Sequence, residues 1–134
     1  MKQLQLSRAL VTRLLNLAQN SADKEICGLI GGRDGEPGAC YPVANSSNQP
    51  DIKFQMDPQE QIAAMRKMAE AGEELFAIYH SHPSSVAVPS KTDLELNQYP
   101  DAVHLIIALG TRGVLELRAY KLDRKGTTEI PVSI

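Results

Sequence analysis

The chain has 134 residues, with 14 basic against 16 acidic side chains, a net charge of −2, four Tyr, two Phe, no Trp and two Cys. That length suits one domain over residues 1–134, able to bury roughly two thirds of its unfolded surface without disulfides or a structural metal. The basic residues are dispersed and aromatics are few, so nucleic-acid binding is disfavoured; residues 1–6 lack a signal-peptide pattern and no apolar run reaches membrane-span length, so a cytoplasmic protein is expected.

Ser7 is predicted to cap a first helix, in which Leu10, Val11, Leu14, Leu15, Leu17 and Ala18 form a broad apolar face ending near Asn20 and Ser21. Residues 25–31, apolar and glycine-containing, predict a strand; a turn over residues 33–38 and a return strand near residues 39–44 make a hairpin. Cys27 and Cys40 could face each other across it, but reduced thiols are expected in an unexported chain. After a polar loop at residues 45–50, a strand is predicted over 52–56. Asp57 as N-cap, Pro58 at the first helical position and Glu60 then announce a helix to Gly72, with Ile62, Met65 and Ala69 as its buried stripe. The short apolar run of residues 75–79 reads as a buried strand ending at His80. Strands are also predicted over 102–109, 113–121 and 127–133, joined by turns at residues 110–113 and 123–126. His104, inside one of them, reads as structural or surface. The fold class is α/β, a curved mixed sheet flanked by helices, with no repeat or linker.

The chemistry concentrates in His80-Ser81-His82-Pro83, followed by Ser90 and Asp93. Histidines at i and i+2 of an extended segment point to one face, about 6.5–7 Å apart at Cα, and two nitrogens can converge from there on one ion. A helix starting at Ser90 would aim Asp93 back at the strand end as a third, oxygen ligand. Three protein ligands with an open position is the arrangement of catalytic zinc, whereas structural zinc is closed by four. Drawn independently at this composition, His-x-His-x₇-Ser-x₂-Asp arises on the order of 10⁻⁴ times per chain. Ser90 and Asp93 equally make a capping box, and either histidine alone is ordinary in a core. Water activated by a metal also needs a proton acceptor. Glu25 is the candidate, since partial burial at the mouth of a strand would raise its pKa; alternatively it belongs to the solvated cluster Asp23-Lys24-Glu25.

Together, Glu25, His80-Ser81-His82-Pro83, Ser90 and Asp93 match the signature of the JAMM metalloproteases (MPN-plus, JAB domain), spacing included. Phe54-Gln55-Met56-Asp57-Pro58, the strand into His80 and residues 103–108 also resemble that family, so the likeness covers roughly residues 5–121. The resemblance implies an MPN/JAB, cytidine-deaminase-like architecture and a zinc-dependent hydrolase. His80, His82 and Asp93 would hold one Zn²⁺ per chain, Glu25 would be general base and acid, and Ser90 would stabilise the oxyanion. Ser81, pointing away by strand alternation, has no assigned role. Small prokaryotic members are similar to enzymes acting at the C-terminal Gly-Gly of ubiquitin-like or sulfur-carrier proteins, by cleavage of a peptide or isopeptide bond. The short loop at residues 83–89 favours a sulfur carrier over polyubiquitin. A zinc-stabilised module that only binds such carriers, and a phage-tail or cell-wall type of peptide hydrolase, are the alternatives.

Overall fold

A computed structural model of the chain describes residues 3–111, 114–123 and 126–134. In chain order the elements are β1 (Leu4–Gln5), α1 (Arg8–Gln19), β2 (Cys27–Arg33), β3 (Glu36–Val43), α2 (Pro58–Glu70), β4 (Glu74–His82), α3 (Lys91–Glu95), β5 (Val103–Thr111), β6 (Val114–Asp123), β7 (Gly126–Ile130) and β8 (Val132–Ser133). Six strands form one mixed sheet in the order β3-β2-β4-β5-β6-β7, and β1 pairs with β8 in a separate parallel ribbon. Within the large sheet β4 and β5 are parallel, and the other neighbours are antiparallel. The α/β class and its mixed, helix-flanked sheet are as expected. Among the described residues, no helix is long and apolar enough to cross a membrane.

Local signals placed the helices well. Ser7 Oγ accepts from Leu10 N–H and starts α1, and Asp57 accepts from Glu60 N–H with Pro58 at the first position of α2. Period-two alternation in β4 then divides the core between the two sheet faces. Ala77 and Tyr79 pack with Leu10, Leu14 and Ala18 of α1, while Ile78 packs with Leu29, Val43, Ala64 and Met68 beneath α2. Leu14, Leu29, Ile30, Leu105, Ile106 and Ile107 are wholly buried, each stabilising the fold by about 1.5–3 kcal/mol relative to exposure. Gly28 faces Tyr79 across the β2–β4 pair, where a Cβ would run into the phenol ring and the Tyr41 carbonyl.

Several expectations are corrected. The first hairpin turns in only two residues, Asp34 and Gly35, both at positive φ, which matches a type I′ turn and lengthens both strands. The hairpin register sets Cys27 opposite Val43 and Cys40 opposite Ile30, so the cysteines do not face each other, and both are free thiols. Residues 52–56 are not a strand. Only Asn45 and Met56 form an isolated bridge there, because this segment's polar groups are met by Asn45 and Ser46 rather than by a ladder. The buried stripe of α2 is rotated to Ala64 and Met68, with the expected Met65 half-buried beside them and Ile62, 61% exposed, and Ala69 facing out; several alanines let either face serve, and Gln61 takes the inward place to bond Tyr99. The strand expected over 127–133 breaks at Pro131, whose two sides pair with different partners, β7 with β6 and β8 with β1. The turns expected at 110–113 and 123–126 include residues 112–113 and 124–125, which lie outside the described residues.

Candidate metal centre

β4 lies in the interior of the sheet, and its last residues carry the two histidines. His80 pairs with Cys27 and Ile106, and His82 with Ala108, so both rings stand on one rigid, buried strand. His80 is 1% and His82 2% exposed. The following loop returns into α3, where Ser90 and Asp93 form a complete capping box: Ser90 Oγ accepts from Asp93 N–H at 3.0 Å, and Ser90 N–H donates to Asp93 Oδ2 at 2.8 Å. The capping box is the device that aims the carboxylate, so capping and ligation by Asp93 are compatible.

Asp93 Oδ2 lies 3.1 Å from both His80 Nε2 and His82 Nε2, which are 3.0 Å from each other. Tetrahedral zinc with bonds of about 2.0–2.1 Å needs ligand atoms about 3.3 Å apart, so this triangle is close to one face of such a tetrahedron. His82 Nδ1 bonds the Val86 carbonyl at 2.8 Å, which orients the ring so that Nε2 is the nitrogen turned into the cluster. Phe54 stacks on His80 with centroids 4.4 Å apart and planes at 26°, which fixes the other ring by packing. With Glu25 these residues offer four ligand-type atoms within 4.8 Å of one another. The donor set and its spacing therefore fit a metal ion.

Electrostatics separate the four groups. Burial would raise the Asp93 carboxyl, but the hydrogen bonds from both histidines and from Ser90 prevail and hold it well below the usual range. Burial keeps His80 neutral by lowering its pKa; for His82, burial also lowers, yet the bonds with Asp93 and the Val86 carbonyl raise it overall. Glu25 is 4% exposed. Desolvation is the main reason its pKa rises to about 8, with Asp93 and Asp51 adding and His82 opposing. Its Oε1 is buried with no hydrogen-bond partner among the described residues. Glu25 is thus buried beside His80, His82 and Asp93 rather than lying in a solvated charge cluster.

Glu25 precedes β2 instead of opening it, and its approach to the histidines follows from the register: Cys27 opposite His80 continues to residue 25 opposite residue 82. Ser81, which sequence reading left without a role, is wholly buried, accepts from Ile26 N–H at 2.9 Å and donates to Lys24 O at 3.4 Å. Asn45 and Phe54 were also missed as site residues. Alternation showed that Ser81 points away from the histidines, but its partners lie 55 residues earlier in the chain, where no sequence spacing reveals them. Cys27 bonds the Val43 carbonyl and its thiol is pushed up to about 12 by burial, which makes it inert. His104 is buried, accepts no ligand role in the cluster, and sits within 3.4 Å of Tyr99 O. It lines a cavity of about 420 Å³ with Phe54, Ile78, Leu96 and Tyr99, open to His80 and Asp93.

Known proteins bear on this arrangement. The model of prokaryotic homologues of the JAB domain matches residues 7–123. A CysO-cysteine peptidase of Mycobacterium tuberculosis is 32% identical over 127 residues, covering 93% of this chain and 86% of that one. A desampylase of Haloferax volcanii is 36% identical over 84 residues, 61% of this chain and 60% of its own. The solution structure of a Desulfitobacterium hafniense protein matches with a TM-score of 0.87 at 30% identity, over 98% of this chain and 92% of that one. The family match covers nearly the whole fold, from α1 to the end of β6, and the chain belongs to the prokaryotic JAB family.

Proposed function

We propose that this chain is a zinc metalloprotease that hydrolyses the peptide or isopeptide bond after the C-terminal Gly-Gly of a ubiquitin-like or sulfur-carrier protein. In this reading His80, His82 and Asp93 hold one Zn²⁺ per chain, residues 1–134 act as one catalytic domain, and the protein works in the cytoplasm, where its free thiols stay reduced. The observation that carries it is the convergence of two Nε2 atoms and one carboxylate oxygen at 3.0–3.1 Å with a buried glutamate beside them. Bound zinc supplies Lewis acidity, polarising the scissile carbonyl and acidifying water.

The chain's own residues do the rest. Glu25 accepts the proton of the attacking water and returns it to the departing amine. Desolvation puts its pKa at about 8, which keeps a carboxyl able to return the proton near neutral pH. Ser90 already uses its oxygen as acceptor for the Asp93 amide, which leaves its hydroxyl hydrogen to stabilise charge on the carbonyl oxygen, an effect of about 3–4 kcal/mol where measured. Val86 and the Ser90 amide orient His82 and Asp93. An extended tail without side chains reaches such a recess closely, and the relatives named for CysO-cysteine and for desampylation support a tail of this kind. A module that only binds carriers leaves without a purpose the buried Glu25 carboxylate, whose Oε1 has no hydrogen-bond partner among the described residues.

The test is incubation of the zinc-loaded protein with carrier proteins extended past Gly-Gly by Cys, Glu or a longer peptide, read by intact mass. The expected product ends at Gly-Gly. Absence of cleavage of every candidate, with zinc bound, overturns the proposal.

A further inference from the structure

Glu25 has an unusual support for a residue asked to hold a carboxylate in place. It lies outside the ladder of β2, and no described residue hydrogen-bonds its buried Oε1. Its position therefore depends on how the backbone of residues 24–26 is held. Hydrogen bonds to Pro50, Ser81 and Asn45 do this. Glu25 N–H donates to Pro50 O at 2.7 Å. On the sheet side, Ser81 closes the segment through its Oγ to Ile26 N–H and through its own N–H to Ile26 O at 3.0 Å. On the opposite side, Asn45 Nδ2 donates to Glu25 O at 2.9 Å.

Asn45 does more than hold Glu25. Its Nδ2 also donates to Lys53 O at 3.0 Å, and its Oδ1 accepts from Ser47 N–H and Gln55 N–H, both at 3.0 Å. Both donors and both lone pairs of the amide are used. Lys53 and Gln55 flank Phe54, the ring stacked on His80. One side chain thus ties the backbone of the candidate base to the segment that packs against a candidate ligand. An aspartate cannot replace it, because Asp offers no donor; an alanine offers nothing.

We propose that Asn45 is a positioning residue of this site, holding the Glu25 carboxylate at the metal ligands from one side while Ser81 holds it from the other. The inference rests on the reading of Glu25 as the base. A misplacement of about 1 Å of a reacting group can lower turnover by about 100-fold, so loss of the Asn45 clamp should be felt in kcat and not in binding of the tail.

The variants are Asn45→Asp, which keeps the acceptor for the Ser47 and Gln55 amides, Asn45→Ala, which adds no charge, and Ser81→Ala as the independent clamp on the other side. Each is compared with Glu25→Gln by zinc content, by kcat and KM on a cleaved carrier, and by amide hydrogen exchange of the metal-free protein. The expected result is zinc content equal to that of the starting protein, kcat lowered about 10- to 100-fold and KM within about twofold. Exchange is expected to quicken at Glu25 and Ile26 while the amides of residues 77–80 keep their protection. Full kcat in the Asn45 variants, with Glu25→Gln inactive, overturns the positioning role alone. Full kcat in Glu25→Gln overturns the base itself. Loss of zinc or of protection throughout β4 makes Asn45 a general structural residue, and that too overturns the inference.

Discussion

Replacing Glu25 by Gln in the metal-free protein should remove a pH dependence of stability. The carboxyl is buried, and its pKa rises from an ordinary 4.5 to about 8 chiefly by desolvation. Between those values the unfolded chain has released the proton and the native chain has kept it. The native state therefore binds more protons, and the unfolding free energy falls as pH rises. The Glu25 contribution is fully present below 4.5 and is lost as pH passes through about 8. At about 1.4 kcal/mol for each pH unit, the ceiling on the loss is about 5 kcal/mol, a large part of the roughly 5–15 kcal/mol that stabilises a domain. Gln has nearly the same shape without the charge, so the difference between the two proteins reports Glu25 together with its coupling to His82 and Asp93 and cancels titrations remote from the site. The assay is urea unfolding with a chelator present at about pH 5, 7 and 9. Relative to Glu25→Gln, the unchanged protein should lose about 3–5 kcal/mol across that range, and added zinc should narrow the gap by favouring the ionised carboxylate. Parallel stability curves for the two proteins would show that Glu25 is not desolvated at this site and would remove the physical basis for treating it as the base.

Changing His82 or Asp93 to Ala should lower zinc from about one ion per chain to near zero after dialysis, while Glu25→Gln keeps its metal and loses turnover; ordinary zinc content in a His82→Ala/Asp93→Ala protein refutes the site. His104, lowered by burial from 6.5 to about 4, protonates first in the unfolded chain, so its contribution, at most about 3 kcal/mol, is lost as pH falls through that window. Thermal unfolding with chelator should accordingly show His104→Gln losing less stability than the unchanged protein on acidification, and identical losses would contradict the burial. Gly28→Ala places a Cβ against Tyr79 and the Tyr41 carbonyl, an overpacking that should lower stability by about 1–3 kcal/mol; an unchanged Tm refutes the close approach.

Features that depend on a few neighbouring residues could be read from the chain alone. The caps at Ser7, Asp57 and Ser90 are correct because each side chain bonds an amide three residues ahead, and the shared face of His80 and His82 follows from strand alternation. The spacing from His82 to Asp93 carries the third ligand atom, since a loop and a capped first turn are also local. The sequence left Ser90 and Asp93 undecided between capping and ligation, and the fold allows both at once through a single oxygen, Asp93 Oδ2. The candidate base was legible as a carboxylate at the mouth of a strand, but its spacing also suited a solvated cluster until the β2–β4 register set it opposite the histidines.

Features that depend on which distant segments meet could not be read this way. The face of α2 that turns inward, the offset between Cys27 and Cys40, the break at Pro131 and the loss of a strand over residues 52–56 all come from packing and pairing partners. The same is true of Ser81 and Asn45, both polar and without an assigned role in one dimension, whose bonds to residues 24–26 span 20 to 57 positions of sequence. Residue type and short spacing specify what chemistry a side chain can offer. Register and burial specify which groups lose water together: in this protein the β2–β4 register brings the Glu25 carboxylate beside the nitrogens of His80 and His82 and the Asp93 oxygen, and desolvation there raises its pKa.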